Sequence, residues 1–391
     1  MQPAGILTIN QQDSIARPAI GMGVSRSPVG RLKFLDGIRG WASLTVLLYH
    51  IYCVCLPIPG ANATEWQRWL PFNGPLATWV FFVVSGFSLS IGYCQSGDSD
   101  RLRRLLLGRY VRLALPIVAT ALLTYVSFRL NLIPSLSRRP GDLANYLRTA
   151  PSLFETAKFS LRDVFFDYDS GKSLVPPLGT MHGELYGSAL VLTSFLLVGT
   201  SRRRLLWFMV LGVGTCWIDI QYAPFIVGVL AAEGFAWAHR GSPSRELWCR
   251  RSCWVLLPLL VIGFRLTSAS NGSYFLFSAT LVVFLAFNRA AARFLSNRLS
   301  SFLGRISFSL YLIHILIFYL VSAGLYERFG SGVRAAWILD LVTVGACLAA
   351  ATAWAAVDRA AVKCSHWVAD IFMPARMPSS SVGYGRTQRE D

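Results

Sequence analysis

The feature that most constrains this chain is the grouping of its apolar residues. Stretches such as "FFVVSGFSLSIGYC" (81–94), "LALPIVATALLTYV" (113–126) and "LVTVGACLAAATAWAAV" (341–357) recur from end to end. Each approaches the roughly 20 apolar residues that cross a bilayer as a helix. A chain buried in lipid must satisfy its backbone groups internally, and runs of this length select helices. Composition agrees: 54% of residues are hydrophobic and 15% charged, against roughly 25% charged in a soluble domain. The expected fold is an all-α, polytopic transmembrane bundle.

Ten spans are expected, near 38–58, 75–95, 113–133, 178–199, 205–220, 222–238, 253–268, 273–288, 306–324 and 333–357. Residues 31–372 form one transmembrane domain. Residues 1–30, which lack the apolar core of a cleaved signal peptide, and 373–391 read as disordered tails. No further domain is expected after the last span. The net charge of +17 falls in short connectors: Arg101, Arg103 and Arg104 after the second span, Arg202–Arg204 after the fourth, Arg289 and Arg293 after the eighth. This is the distribution of positive residues retained in the cytoplasm, not of a nucleic-acid interface. Ten spans then put both termini and every short arginine cluster on that side, with the long polar segment 134–176 outside. Trp66, Trp69 and Trp79 sit near the outer boundary, where interfacial tryptophans gather.

The eight cysteines lie mostly inside spans or on the cytoplasmic side, unlike a disulfide framework. Cys53-x-Cys55 and Cys249-x-x-x-Cys253 lack partners in a zinc pattern, so no metal is expected.

Four places concentrate chemistry. "LDGIRGWASLTVLLYH" (35–50) opens with Asp36 and Arg39 and ends on His50. Eleven helical residues return the chain to within about 20° of its starting face, so Arg39 and His50 line one strip about 16 Å apart. A histidine hydrogen-bonded within the bundle and a functional one both fit, since ionisable groups inside a membrane are candidates by default. "GRYVRL" places Arg109 and Arg112 three apart on one face, either as topogenic charge or as a phosphate clamp. "FFVVSGFSLS" carries Ser85, Gly86 and Phe87, and "TMHGELYGS" carries Glu184 between His182 and Tyr186. "ISFSLYLIH" sets Tyr311 three residues before His314.

These motifs, in this order over about residues 31–365, resemble the acyltransferase-3 family of integral-membrane acyltransferases, many of which decorate bacterial glycans. The resemblance implies His50 as catalytic base or acyl relay with Arg39 as its essential partner, and Glu184 at the carboxylate position of the span-4 motif. It implies Arg109 and Arg112 at the acyl-CoA end, together with Arg39. Asp36, Ser85, Gly86, Phe87, Tyr311 and His314 would be motif or architectural positions. Two departures stand out: Ile315 and Leu316 replace the proline that often follows the span-9 histidine, and Asp358, Arg359 and Ala360 replace a Glu-Arg-Pro-like element.

The implied activity is transfer of an acyl group, acetyl in the simplest case, from cytoplasmic acyl-CoA to a hydroxyl of exopolysaccharide, O-antigen or a lipo-oligosaccharide. Acetyl-CoA would be the donor substrate, with no permanently bound cofactor. The partners would be the bilayer, acyl-CoA and a glycan or lipid-linked acceptor, with no nucleic acid. A transporter or flippase of anionic lipid-linked sugars is the alternative; it would be favoured by an inverted repeat, and none is evident. Arginine outnumbers lysine 33 to 4, which suggests a GC-rich genome and a bacterial inner membrane.

Overall fold

The computed structural model describes residues 32–55, 62–133, 151–170, 173–240, 243–266, 270–322 and 333–373. Ten principal helices are α1 (Lys33–Tyr49), α2 (Gly74–Ser96), α3 (Ser99–Arg129), α4 (Met181–Val198), α5 (Arg204–Ile218), α6 (Ala223–Arg240), α7 (Leu256–Leu266), α8 (Asn271–Phe287), α9 (Arg298–Ile317) and α10 (Val333–Phe372). Each falls on one expected apolar block, and no strand occurs among the described residues.

The span count is less uniform than expected. Six helices are long and apolar enough to cross a membrane, and a seventh is obtained if α8 is joined to the following Arg289–Leu295 helix. That pair is bent by 92°, because Asn288 stops α8 and caps its successor, its Oδ1 accepting from Ala291 N at 3.0 Å. The remaining expected spans are shorter: α1 has 17 residues before a π-helical turn at His50–Cys55, α5 has 15 and α7 has 11. The expected tails at 1–30 and 374–391 lie outside the described residues, as do 134–150 of the long polar segment. Residues 151–170 of that segment form short helical turns that begin at a Ser152–Glu155 capping box and bury Phe159, Val164 and Phe165 in the core.

Local signals set the helix ends. Asn73 caps α2, accepting from Leu76 N at 3.0 Å, and Pro75 sits in the first turn, where its missing N–H costs nothing. α2 stops at Gly97, whose φ of 72° suits a residue without Cβ. Asp98 then accepts from Asp100 N at 2.9 Å and starts α3. The turn between α2 and α3 is therefore tight.

Two contacts between glycines build the centre. A Cβ on Gly86 would lie 2.0 Å from the Phe225 carbonyl oxygen, and one on Gly228 would lie 2.1 Å from that of Val83, so α2 and α6 touch along their backbones. Likewise a Cβ on Gly40 would lie 2.5 Å from Gly304 N, and one on Gly304 would lie 2.5 Å from the Asp36 carbonyl oxygen, joining α1 to α9. Small residues at such crossings let dispersion contacts replace the hydrophobic drive that lipid removes. α3 packs along α10. α2 is central, with 83% of its apolar window inside the bundle; α10 is peripheral, at 28%. Trp79 does not face an interface as expected: it is buried beside Leu260, Tyr274 and Phe277 of α7 and α8.

Candidate active site

Three arginines converge from two helices. Arg39 sits in the second turn of α1, and Arg109 and Arg112 lie one turn apart on α3. Two carboxylates answer them. Glu184, in the first turn of α4, pairs with Arg109, and Asp358 of α10 pairs with Arg112. Ser85 of α2 donates to Glu184 Oε1 at 2.6 Å, and Arg109 Nε donates to Ser188 Oγ at 2.9 Å. The Ser188 hydroxyl in turn donates to the Glu184 carbonyl. A glutamate in a membrane helix needs such partners, and here each lies on a different strand of sequence.

Arg39, Ser85, Arg109, Arg112 and Glu184 line one cavity of about 140 Å³ that is partly open to the exterior. Arg39, Ser85, Arg109, Arg112, Glu184 and Tyr311 supply its polar wall; Phe81, Phe82, Leu113 and Phe308 supply its apolar wall. Asp36, one turn before Arg39, is a third carboxylate within electrostatic range of that guanidinium. The buried Nε of Arg39 has no hydrogen-bond partner among the described residues.

A second cleft adjoins the first. It lies between the start of α3 and the end of α10, is lined by Arg101, Arg104, Ser365 and His366, and shares Arg109 and Arg112 with the cavity. Arg104 pairs with Asp370 and donates to the Met373 carbonyl at 2.9 Å, strapping the two helices together.

His50 does not line the cavity. It faces His314 of α9 instead, with His314 Nε2 at 3.2 Å from His50 Nδ1 and the ring centroids 4.9 Å apart. Tyr311 stands between the two regions. It borders the cavity, donates its hydroxyl to the Pro177 carbonyl, lies 2.7 Å from Thr180 Oγ1, and precedes His314 by one turn.

The structure thus gathers Arg39, Ser85, Arg109, Arg112, Glu184 and Tyr311 around one cavity and sets His50 with His314. Gly86 and Phe87 serve packing: Phe87 is fully buried, with its ring 6.2 Å from Phe34 and 5.7 Å from Phe235. Asp36 lies where α1 meets Gly304. His182 and Tyr186 turn away from Glu184; His182 Nδ1 donates to the Phe165 carbonyl at 2.8 Å, and Tyr186 is exposed. Sequence reasoning did not single out Ser188, and treated Asp358 only as a departure from a motif. The signal for Asp358 was a carboxylate placed directly after the uncharged run 341–357. Among the described residues no group of three or more metal-ligating side chains comes together.

No curated protein and no solved structure matches this chain. A family model described as an acyltransferase domain, Acyl_transf_3, matches residues 32–357. That range runs from the first residue of the helical bundle to the residue before Asp358 and takes in every residue of the cavity wall and the histidine pair. The chain belongs to the acyltransferase-3 family and is a multi-pass membrane acyltransferase.

Proposed function

We propose that this acyltransferase moves an acetyl group from cytoplasmic acetyl-CoA to a hydroxyl of a surface or secreted glycan in a bacterial inner membrane. The observation that carries the reading is the pair of adjoining clefts joined by Arg109 and Arg112. The outer cleft, with Arg101 and Arg104, suits the nucleotide phosphates, which arginine forks bind well. The inner cavity, with its apolar wall and the unpaired Arg39 Nε, suits the pantetheine arm. Arg39 precedes His50 by about 16 Å along α1. That separation favours a role for Arg39 in holding the donor over one in polarising a thioester that has reached His50.

The histidine pair supplies the chemistry. In direct transfer His50 Nε2 takes the proton of the acceptor hydroxyl while its oxygen attacks the thioester carbonyl. The tetrahedral intermediate collapses, the C–S bond breaks, and the proton passes from His50 to the CoA thiolate. In a relay His50 Nε2 itself displaces the thiolate, giving an acyl-imidazolium. The acceptor hydroxyl then attacks that group, and its proton ends on the thiolate. Both routes give the same ester and free CoA.

The test is a titration of the purified full chain with acetyl-CoA, beside mass spectrometry of surface and secreted glycans from cells with and without the gene. Saturable binding, and O-acetyl groups that disappear with the gene, are expected. Absence of acetyl-CoA binding would remove the donor assignment; unchanged glycans would remove the acceptor.

A further inference from the structure

Beyond the histidine pair, away from the donor clefts, a set of buried polar atoms has no hydrogen-bond partner among the described residues. Asp340 and Thr343 lie three apart on α10 and share a face. They are 1% and 0% exposed. Neither carboxylate oxygen of Asp340 nor Thr343 Oγ1 makes a hydrogen bond among the described residues. On the same face Cys347 Sγ lies 3.8 Å from the His314 carbonyl oxygen. The face therefore starts at the histidine pair, and seven helical residues carry Asp340 about 10 Å past Cys347. The paired acids Asp358 and Asp370, at the donor clefts, lie on the opposite side of Cys347 along the helix.

An aromatic surface borders these atoms. Trp337 precedes Asp340 by one turn, is 46% exposed, and has its ring centroid 5.8 Å from that of Tyr52. Tyr52 follows His50 by two residues and stacks on Trp66 at 5.7 Å and 13°. Its hydroxyl is within electrostatic range of the Asp340 carboxylate.

A buried carboxylate without donors is costly, because water has been removed and nothing has replaced it. The missing partners are O–H or N–H groups, at least two of them, delivered next to an aromatic face. A pyranose ring meets that description. Its hydroxyls donate to carboxylate oxygens, while its C–H face rests on the electron-rich face of a tryptophan or tyrosine.

We propose that Asp340 and Thr343, flanked by Trp337 and Tyr52, form the subsite for the acyl acceptor, a sugar ring with at least two free hydroxyls, across the histidine pair from the donor. This rests on the glycan reading above and adds where the glycan sits. Asp340 orients the ring, and one remaining hydroxyl is presented to His50.

The test uses the purified full chain in lipid nanodiscs with labelled acetyl-CoA. Para-nitrophenyl glycosides of glucose, galactose, mannose, rhamnose and N-acetylglucosamine serve as acceptors. Acetyl-CoA affinity and acetyl transfer to each glycoside are measured for wild type, Asp340→Asn, Thr343→Val and Trp337→Ala. Wild type should acetylate at least one glycoside. Asp340→Asn and Trp337→Ala should raise KM for that sugar tenfold or more, with Thr343→Val smaller, while acetyl-CoA affinity stays within twofold. Unchanged KM in all three variants overturns the subsite and leaves the glycan reading intact. Joint loss of acetyl-CoA binding and transfer in all three also overturns it, since the residues would then only hold the fold. Wild type that binds acetyl-CoA but acetylates no glycoside overturns the glycan reading, and the subsite with it.

Discussion

His314 Nε2 meets His50 Nδ1 at 3.2 Å, from a position 264 residues along the chain. Backbone carbonyls fix the tautomers. His314 Nδ1 faces the Leu310 oxygen at 3.0 Å and His50 Nδ1 faces the Val46 oxygen at 2.8 Å, so both Nδ1 atoms carry the proton. His314 Nε2 is then an acceptor for His50, and His50 Nε2 is left with its lone pair. His50→Gln should lower acetyl transfer by about 100-fold or more, the usual contribution of a positioned base. His314→Gln keeps an acceptor oxygen for His50 and should retain more activity than His314→Leu. Labelled transfer at matched protein levels measures both; wild-type rates in His314→Leu would separate the pair from the chemistry.

Glu184 is held by Arg109 and Ser85 at low exposure. Glu184→Ala leaves Arg109 without its counter-ion, at a cost of about 3–5 kcal/mol for a broken buried pair. Glu184→Gln keeps a carbonyl oxygen for Ser85 and should cost less. Thermal unfolding in detergent, followed by tryptophan fluorescence, should rank wild type above Gln above Ala. Identical midpoints would mean that the pair contributes no stability.

Arg112 and Asp358 make opposite demands on the donor. If Arg112 binds phosphate, Arg112→Gln should weaken acetyl-CoA binding about tenfold, the scale of one charge-assisted contact. Asp358→Asn, which frees the guanidinium, should hold or strengthen it. Isothermal titration at low and high salt checks the sign; equal weakening by both substitutions would assign the pair to structure.

Gly86→Ala should prevent normal accumulation, because its Cβ would lie 2.0 Å from a backbone oxygen of α6 that cannot rotate away. Gly345→Ala provides the contrast. Nothing lies within 4 Å of its added Cβ, and the change should favour α10 by up to about 1 kcal/mol through helix propensity. Membrane-fraction yields of the two variants compare them directly, and equal yields would contradict the close α2–α6 contact.

Reporter insertions after Gly97 and after Ser270 should report opposite sides of the membrane, the first cytoplasmic, as the arginine clusters require. Both on one side would discard the ten-span arrangement.

Apolar grouping located all ten principal helices, because a membrane helix writes its length directly into hydropathy. It could not show that α8 turns by 92° at Asn288, since an N-cap inside an apolar run leaves average hydropathy unchanged. It overstated α7, whose expected start falls on a 3-10 turn at Cys253–Val255. Periodicity put Arg39 and His50 on one strip, but a strip does not say what each residue faces; that depends on α9, which brings His314 to His50 and Ser307 and Phe308 to the cavity beside Arg39. Partnerships across helices, Arg109 with Glu184 and Arg112 with Asp358, have no periodic trace. Composition could suggest only that buried charges would find opposite ones.

The helix α10 is continuous from Val333 to Phe372, a rod of about 60 Å with Asp370 and Asp358 gripped by α3 and Asp340 near its other end. The same helix thus carries, at opposite ends, the carboxylates that answer the arginines of α3 and a buried carboxylate with no hydrogen bond among the described residues.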